Sequence, residues 1–396
     1  MEKKKTRACP QSPERSDGRR VICAMSGGVD SSVAAAILKD QGYDVVGVFM
    51  KLWSPSAEAT GDKAENICCS VEASTAARAV AKKLDIPFYV VNFADEFKKI
   101  VVDNYIHEYE SGRTPNPCVI CNRDIKGQLL FKKMKELGGD FLATGHYARI
   151  IKTSKLMSQN DNLKRKDYKL YQGKDKVKDQ TYFLWTLTQE HLEHLLFPVG
   201  DMTKPQVREL AKKYGLPTAE RRESQGICFI PDGDVAGFLK RHAKKLLSPG
   251  DIVDINGNII GVHQGLVNYT IGQREGLGLG GPNAYYVVRL DKEKNILFVG
   301  DEKDLYRKEL IATDLNWINP FSDVSCQLSD SENGKQKTEN RLGARIRHGH
   351  PIEKCQVSMI NDQIKVKFEK PQRAITPGQS IVFYGGKEVL GGGIIQ

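Results

Sequence analysis

The sequence predicts an α/β domain built on a parallel sheet, followed by a small central domain and a C-terminal antiparallel β-barrel. Its 396 residues are too many for one ordinary hydrophobic core, so two or three domains are expected. Between residues 21 and 150, short apolar runs alternate with amphipathic stretches, which is typical of strands and helices in a parallel sheet. After residue 224, short β-like runs separated by glycine indicate an antiparallel barrel.

The first domain is predicted to hold four strands and four helices before residue 150. Short apolar runs predict the strands at 21–25, 45–49, 88–91 and 141–144. Apolar residues at helical spacing, several followed by glycine or proline, predict helices at 32–41, 73–84, 96–109 and 125–137. The polar and basic residues 152–180 predict a hairpin or loop over the edge of this domain. Thr203 is expected to cap a helix that runs to about Tyr214.

Beyond residue 224, turns such as Asn256-Gly257 and Gly385-Gly386 separate the predicted strands. These strands are 252–255, 259–262, 285–290, 296–299, 364–368 and 381–384. The polar stretch 329–340 is expected to be a loop between strands. We therefore expect a basic tail at 1–20, the α/β domain at 21–222, the central domain at 223–285 and the barrel at 286–396.

Charge and composition exclude several classes of protein. Lys and Arg number 59 against 49 Asp and Glu, and the formal net charge of +10 favours an anionic partner such as nucleic acid. With 40% hydrophobic residues and no apolar run as long as a membrane span, the chain is expected to be soluble. The basic first twenty residues lack the apolar core of a secretory signal, and their acidic residues argue against a mitochondrial presequence. Nine cysteines, an odd number, fit a reducing cytoplasmic compartment better than a secreted disulfide framework.

The sharpest motif is a heptapeptide between the first predicted strand and the first predicted helix, Ser26-Gly27-Gly28-Val29-Asp30-Ser31-Ser32. Glycines let a ligand approach the backbone closely, and the unpaired N–H groups at a helix start favour a phosphate or pyrophosphate. The motif lacks the lysine of a Walker P-loop. A glycine turn capped by serine is the purely structural interpretation.

The heptapeptide resembles the pyrophosphate loop of the ATP pyrophosphatases, which have an adenine nucleotide alpha hydrolase-like fold and adenylate a carbonyl oxygen. With other segments, and over about residues 20–396, the chain resembles the tRNA-specific 2-thiouridylase family, which places sulfur on C2 of the wobble uridine of tRNA. The other segments are Phe49-Met50-Lys51, Gly112-Arg113-Thr114-Pro115-Asn116-Pro117, Ala143-Thr144-Gly145-His146-Tyr147-Ala148-Arg149, Lys178-Asp179-Gln180-Thr181-Tyr182-Phe183, Gly226-Ile227-Cys228-Phe229-Ile230, Tyr269-Thr270-Ile271-Gly272-Gln273-Arg274, Thr376-Pro377-Gly378-Gln379 and Gly391-Gly392-Gly393.

The resemblance implies a reaction in two stages. ATP with Mg²⁺ would convert the uracil C2 oxygen, a poor leaving group, into an adenylate and release pyrophosphate. Cys228 would carry a persulfide and Cys121 would attack its inner sulfur, which releases sulfide or leaves a disulfide once sulfur is transferred and AMP departs. A lone cysteine can also be a small buried hydrophobe. The implied partners are tRNA, with lysine, glutamate and glutamine acceptors, and a sulfur-donor protein that carries a persulfide.

The resemblance also implies binding residues at matching positions. The nucleotide would contact Ala24, Met25, Ser26, Gly27, Gly28, Val29, Asp30, Ser31, Met50 and Gly145, with Met50 packed on adenine. The target base would meet Asn116, Pro117 and Cys118. Other tRNA contacts would come from His146, Lys178, Asp179, Gln180, Arg347, His348 and Gln379. The simpler interpretations are a core histidine for His146 and a solvated charge for Lys178, and His348 stands where the family usually has tyrosine.

Cys118 is the most informative departure from the family pattern, which has aspartate there. It excludes a carboxylate as general base at this position and creates the pattern Cys118-x-x-Cys121. Together with Cys228, these thiolates would hold a 4Fe-4S cluster that delivers hydrosulfide. A zinc site that uses Cys228 or the pair Cys68-Cys69, and a reversible disulfide between Cys118 and Cys121, are the other possibilities. Two smaller departures are Gln225, for threonine, and Gly127, for an aromatic residue.

The same resemblance implies a binding surface for tRNA. The barrel and the basic residues 152–180 would contact tRNA phosphates, so binding should weaken with salt, and the target base must leave its stack. A rival is an adenylating ligase or amidotransferase that uses the same loop on a small carboxylate or nucleotide. A rival of another class is a non-catalytic RNA-binding protein with a structural metal site.

Overall fold

The computed structural model describes residues 18–53, 70–158, 161–223, 226–243, 248–280, 284–319 and 342–396. Outside them lie most of the predicted basic tail, the predicted loop at 329–340, Cys9, Cys68, Cys69, Cys326 and Gln225. The chain forms two compact units. The first consists of Met1–Asp95, Asn122–Pro231 and Lys387–Val389, and the second of Glu96–Cys121, Asp232–Gly386 and Leu390–Gln396.

The first unit is built on five parallel strands: β1 (Arg20–Ala24), β2 (Asp44–Lys51), β3 (Phe88–Asn92), β4 (Phe141–Ala143) and β7 (Leu195–Leu196). Their order in the sheet is β3-β2-β1-β4-β7. Val21, Ile22 and Cys23 of the central strand β1 are fully buried, as expected for a strand covered on both faces. The predicted parallel α/β sheet is confirmed, and β7 is an edge strand too short for its sequence to reveal.

The helices of the first unit are α1 (Val29–Asp40), α2 (Val71–Leu84), α6 (Phe131–Glu136), α7 (Gln189–His194) and α8 (Lys204–Lys213). Helix α1 lies close to its neighbours because Ala34, Ala35 and Ala36 are small and buried in the core. Thr203 is the N-cap of α8, and its N–H donates to Gln206 Oε1 at 2.9 Å. This confirms the cap predicted at Thr203.

Two other elements complete the first unit. Strands β5 (Ala148–Ser158) and β6 (Asp161–Gln172) form an antiparallel hairpin, paired from Ala148 with Gln172 to Ser158 with Asp161. The hairpin predicted within 152–180 is confirmed, and it begins four residues earlier. A π-helix, Cys121–Leu130, runs directly into α6, so the helix predicted at 125–137 is longer and wider than expected.

Most of a second helical stretch lies in the second unit. It is α3 (Ala94–Phe97), a π-helix (Lys98–Val102) and α4 (Asp103–Glu110), which together match the helix predicted at 96–109. The short helix α5 (Pro117–Ile120) follows, with Asn116 as its N-cap and Pro117 in its first turn.

The middle of the second unit is a four-stranded sheet with helix α9 (Val235–His242) beside it. Its strands are β8 (Gly250–Val253), β9 (Ile259–His263), β10 (Tyr286–Asp291) and β11 (Ile296–Gly300), in the order β10-β11-β8-β9. Ile252, Val287 and Leu297 are fully buried at its centre. Because β10 and β11 pair within this sheet, the structure groups residues 286–300 with the central domain rather than with the barrel expected to start at 286.

The C-terminal strands close into an antiparallel barrel, as predicted. They are β12 (Tyr306–Trp317), β13 (Leu342–Arg345), β14 (Glu353–Ile360), β15 (Gln363–Arg373), β16 (Ser380–Gly385) and β17 (Glu388–Ile395). The order is β12-β15-β14-β13-β16-β17, and pairing of β17 with β12 closes the barrel. Alternate residues such as Ile364, Val366 and Phe383 fill the interior. Across the described ranges, no helix is both long and apolar enough to cross a bilayer.

Candidate functional site

The phosphate-loop motif forms the sharp turn between β1 and α1. Gly27 has a φ of +74°, and a Cβ atom there would collide with the backbone carbonyl of Ala73. Gly28 is the N-cap of α1 and supplies no side chain to cover the helix start. The first N–H groups of α1 are therefore left without a side-chain cap, which is the arrangement that binds phosphate. A nucleotide phosphate fits this turn because the N–H groups at the start of α1 have no side-chain cap, while Gly27 lets the turn pack against the Ala73 carbonyl.

Serine hydroxyls fix the shape of this turn. Ser31 Oγ accepts from the Ser26 N–H at 3.2 Å and lies 3.3 Å from Ser26 Oγ. Ser31 Oγ and Ser32 Oγ both donate to the Gly28 carbonyl, at 3.2 and 2.8 Å. Ser31 and Ser32 are buried, whereas Ser26 is exposed. The loop is thus held in one conformation before any ligand arrives.

The other predicted nucleotide positions surround the same turn. A Cβ atom on Gly145 would lie 2.6 Å from the Ser31 nitrogen, so only glycine leaves space beside the start of α1. Ala24 ends the buried strand β1, and the N–H of the next residue, Met25, donates to the Val48 carbonyl at 2.8 Å. Met50 is partly exposed near the end of the neighbouring strand β2. The structure thus brings the loop and Gly145 together.

A network of charges that the sequence did not predict borders the loop. Asp30, in the first turn of α1, accepts from Tyr147 Oη at 2.7 Å and from Lys204 Nζ at 2.7 and 2.8 Å. Lys204 Nζ also lies 3.3 Å from Glu223 Oε1. Arg221 Nη1 donates to the Gly27 carbonyl at 3.0 Å. Tyr147 lies in the family-like segment 143–149, but no local pattern marks the other partners, because Lys204 is 174 residues from Asp30.

Glu223 gathers three cations. Lys178 Nζ lies 2.6 Å from Glu223 Oε2, and Arg208 Nη2 lies 3.6 Å from its Oε1. The pKa of Glu223 is lowered, first by the hydrogen bond from Lys178 and then by Lys204, against an opposing effect of burial. Lys178, predicted as a tRNA contact, is therefore a partner in this network and not simply a solvated charge.

His146 is partly buried and belongs to a series of polar side chains in contact with one another. Its Nδ1 lies 2.7 Å from Thr144 Oγ1 and its Nε2 lies 3.4 Å from Lys126 Nζ, which donates to Asn122 Oδ1 at 2.9 Å. Burial and the nearby Lys126 charge lower the pKa of His146 well below its ordinary value, so the ring is neutral at neutral pH. His146 lines a cavity of about 20 Å³ together with Gly127, apolar residues such as Phe131, Leu142 and Phe197, and the polar residues Asn122, Lys126, Thr144 and His191.

The two other predicted tRNA contacts of this unit shape its backbone. Asp179 is 2% exposed, and its carboxylate accepts from the Gly173 N–H at 3.1 Å and from Thr181 Oγ1 at 2.9 Å. Gln180 Oε1 accepts from the Tyr147 N–H at 2.9 Å. The buried Asp179 carboxylate thus supports the loop that presents Lys178, and its contact with tRNA stays a prediction.

In the second unit, Gln379 supports the segment predicted to meet the target base. Gln379 Nε2 donates to the Thr114 carbonyl at 2.8 Å and to the Pro115 carbonyl at 3.3 Å. Asn116 Oδ1 accepts from the Cys118 N–H at 3.2 Å, which caps α5, and Cys118 is exposed. Gln379 is therefore a backbone support for this segment.

The cysteines predicted to lie in the site differ from Cys23 and Cys355 in exposure. Cys118 is exposed, Cys121 and Cys228 are partly exposed, and Cys23 and Cys355 are buried. Burial raises the pKa of both Cys23 and Cys355 to about 12, which excludes them as thiolate nucleophiles at neutral pH. Cys228 lies in a turn closed by a hydrogen bond of 3.0 Å from the Ile230 N–H to the Ile227 carbonyl. Cys121 belongs to the second unit and Cys228 to the first.

Arg347 and His348 are the remaining two residues predicted to contact tRNA. Arg347 and His348 lie in the turn between β13 and β14, where His348 is exposed and Arg347 partly so. In the part of the chain that the structure describes, no group of three or more His, Cys, Asp or Glu side chains is assembled to hold a metal ion.

Three family models match the chain in succession. They are described as a tRNA methyl transferase HUP domain (residues 19–232), a tRNA methyl transferase PRC-barrel domain (236–301) and an aminomethyltransferase beta-barrel domain (307–395). The tRNA-specific 2-thiouridylase of Carboxydothermus hydrogenoformans is 47% identical over 96% of this chain and 98% of its own. The enzyme of the same name from Geotalea uraniireducens is 46% identical over 96% of this chain and 95% of its own. A solved 4-thiouridine synthetase–RNA complex with ATP gives a TM-score of only 0.32 at 18% identity, over 57% of this chain and 50% of that one, and supports no conclusion.

Proposed function

The chain belongs to the tRNA-specific 2-thiouridylase family, and on that premise we propose that it transfers sulfur to C2 of the wobble uridine of tRNA in an ATP-dependent reaction. The observation that carries this proposal is the uncapped start of α1, bordered by Gly27, Gly28 and Gly145, in a chain that also exposes cysteine side chains. A non-catalytic RNA-binding protein needs neither feature.

The phosphate loop would bind ATP. The N–H groups at the start of α1 and the hydroxyl of Ser26 would contact the phosphates, with Mg²⁺ as their counter-ion, while Ala24 and Met50 would lie against adenine. ATP supplies the adenylyl group that turns the C2 oxygen of uridine into a leaving group, and pyrophosphate departs. The helix start stabilises the negative charge that develops on the departing pyrophosphate.

Cys228 and Cys121 would deliver the sulfur. A donor protein loads Cys228 with a persulfide, and the terminal sulfur attacks C2 and displaces AMP. The Cys121 thiolate attacks the inner sulfur, which leaves a disulfide between the two cysteines that an external thiol must reduce. If Cys121 attacks first, hydrosulfide is released and displaces AMP instead. Partial exposure of both cysteines supports these roles, since each must be reached by another molecule.

The alternative sulfur route uses a 4Fe-4S cluster held by Cys118, Cys121 and Cys228. Exposed Cys118, three residues before Cys121, is the observation that favours it. Among the described residues no such trio is assembled as a metal site, so we derive no step through iron. The Cys118→Ser variant separates the two routes, because the persulfide route does not use this thiol.

The test is 2-thiouridine formation on unmodified tRNA with ATP, using anaerobically purified protein of known iron content and, in separate reactions, a persulfide-loaded donor protein or sulfide as the sulfur source. The persulfide route requires the persulfide donor, because sulfide cannot load Cys228 without an oxidant. We expect the wild-type protein to form 2-thiouridine, and Cys121→Ser and Cys228→Ser to lose at least about 100-fold in rate. Activity in Cys118→Ser that is independent of iron supports the persulfide route. Activity that requires about four irons per chain and all three cysteines supports the cluster. No thiolation in any condition would overturn the proposed function.

A further inference from the structure

Lys204 is a buried lysine between two carboxylates of the first unit. The residue is 8% exposed, and its Nζ contacts both carboxylate oxygens of Asp30 and one oxygen of Glu223. Its backbone N–H donates to Asp175 Oδ2 at 2.9 Å, which fixes the start of α8. Lysine is almost never buried to this extent unless it is paired, so the side chain is held by these partners.

The two carboxylates belong to different functional segments. Asp30 is part of the phosphate loop, whereas Glu223 lies five residues before Cys228 in the sequence. The segment around Glu223 touches the loop at a second point, through the hydrogen bond from Arg221 to the Gly27 carbonyl. Lys204 and Arg221 therefore connect the loop that would bind ATP to residues 221–223, which precede Cys228 in the sequence.

Each carboxylate also has a partner that does not depend on Lys204. Asp30 accepts from Tyr147 Oη, and Glu223 is held by Lys178 and Arg208. Removal of the Lys204 ammonium would leave both carboxylates with a partner, but with no cation between them. Two carboxylates that lose a shared cation repel each other. We therefore expect removal of the Lys204 ammonium to disconnect the two segments without unfolding either of them.

We propose that Lys204 is a positioning residue that couples occupancy of the phosphate loop to the placement of Cys228. The inference rests on the proposed function, because it assumes that the loop binds ATP and that Cys228 carries the sulfur. Binding of a nucleotide at Gly27, Gly28 and Asp30 is transmitted through Lys204 to Glu223, and the cysteine segment follows.

The experiment measures how fast iodoacetamide alkylates Cys228, by mass spectrometry of the peptide, with and without α,β-methylene-ATP. This analogue is chosen because its α–β bond is not cleaved. In the wild-type protein we expect the analogue to slow alkylation at least about fivefold, the lower range of allosteric coupling. In Lys204→Met the ratio of the alkylation rate without the analogue to the rate with it should fall to about one. Lys204→Arg keeps the cation and should restore part of this ratio.

Lys212→Met is the matched control, because Lys212 is in the same helix and its ion pair among the described residues is an exposed one with Glu220. It should keep the wild-type ratio. If Lys204→Met does not fold, Glu223→Gln weakens the same link from the other side and should also lower the ratio. A ratio of one in the wild-type protein overturns the inference. A folded Lys204→Met or Glu223→Gln variant whose ratio equals that of the wild-type protein also overturns it. Neither result touches the thiolation assay, whose failure in the wild-type protein would overturn the function.

Discussion

Gly145 shows how a single missing side chain defines the phosphate site. Gly145→Ala would place a Cβ atom 2.6 Å from the Ser31 nitrogen, against backbone that cannot turn away. We expect a loss of about 1–3 kcal/mol in the free energy of unfolding from overpacking. We also expect at least about tenfold weaker ATP binding, because the added methyl would displace the Asp30–Ser31 backbone at the start of α1, where the phosphates would bind. Denaturant titration and calorimetry measure the two effects.

Gly280→Ala is the control for this substitution. A Cβ atom on Gly280 would meet no heavy atom of the described residues within 4 Å, so stability should change by less than about 0.5 kcal/mol. Unchanged ATP affinity in Gly145→Ala would contradict the assignment of this turn as the nucleotide site.

His146 makes the stability of the fold depend on pH. Its pKa is lowered in the folded state by burial and by Lys126, so below about pH 6.5 the unfolded chain binds more protons than the folded one. The contribution of His146 is therefore fully present above that pH and is lost as the pH falls. When the pH is lowered from about 7.5 to about 5.5, the free energy of unfolding of His146→Gln should fall less than that of the wild-type protein, by about 1 kcal/mol or more.

Urea titrations at the two pH values test this, with His107→Gln as control because His107 is exposed in α4. The control should show the same acid sensitivity as the wild-type protein. If His146→Gln loses as much stability in acid as the wild-type protein, the histidine is not a neutral group in the folded state.

At the level of single residues, the sequence was informative where the site is local. The heptapeptide from Ser26 to Ser32 is continuous, so its turn and its serine contacts follow from neighbouring residues. Lys204 was missed because its partner Asp30 lies 174 residues away. Asp179 and Gln379 were placed at motif positions, but only coordinates reveal that their side chains hold the backbone.

At the level of elements, the π-helix Cys121–Leu130 begins at one of the proposed reactive cysteines. Gly127 is buried within it, and a Cβ atom there would lie 2.9 Å from the Asn122 carbonyl oxygen. Alanine is normally better than glycine in a helix, by about 1 kcal/mol. Here we expect the reverse: Gly127→Ala should lower the free energy of unfolding by about 1–3 kcal/mol, because the carbonyl must move.

Gln128→Ala is the matched control in the same helix, since Gln128 is exposed and bonds only Asp124 among the contacts described for it. Its effect should stay within about 0.5 kcal/mol. If Gly127→Ala stabilises the protein, the wide helix is not a requirement of this position and glycine is there for another reason.

Strongly periodic elements were predicted well and weakly patterned ones were not. Buried strands such as β1 are continuous apolar runs, whereas β12 and β14 carry charged residues on an exposed face and were missed. Strand β17 contains three consecutive glycines, which hide its pattern. The role of β10 and β11 in the central sheet depends on pairing partners that periodicity does not identify.

At the level of the whole molecule, the net charge of +10 makes salt a test of the tRNA partner. If at least about four phosphates are neutralised, affinity for tRNA should fall about 50-fold between about 50 and 200 mM salt. Fluorescence anisotropy with labelled unmodified tRNA measures the slope of log Kd against log salt concentration. Affinity that does not change with salt would contradict binding through the phosphate backbone.

The position of the charge matters as much as its sum. Lys174 and Lys176 are exposed beside Lys178, in the segment that Asp179 holds in place. Replacing both by alanine should reduce the salt slope by about one per lysine. The same charge change at Lys82 and Lys83, exposed in α2, should leave the slope unchanged. Equal effects of the two double variants would mean that tRNA senses only the total charge, and that the loop before Asp179 is not part of its binding surface.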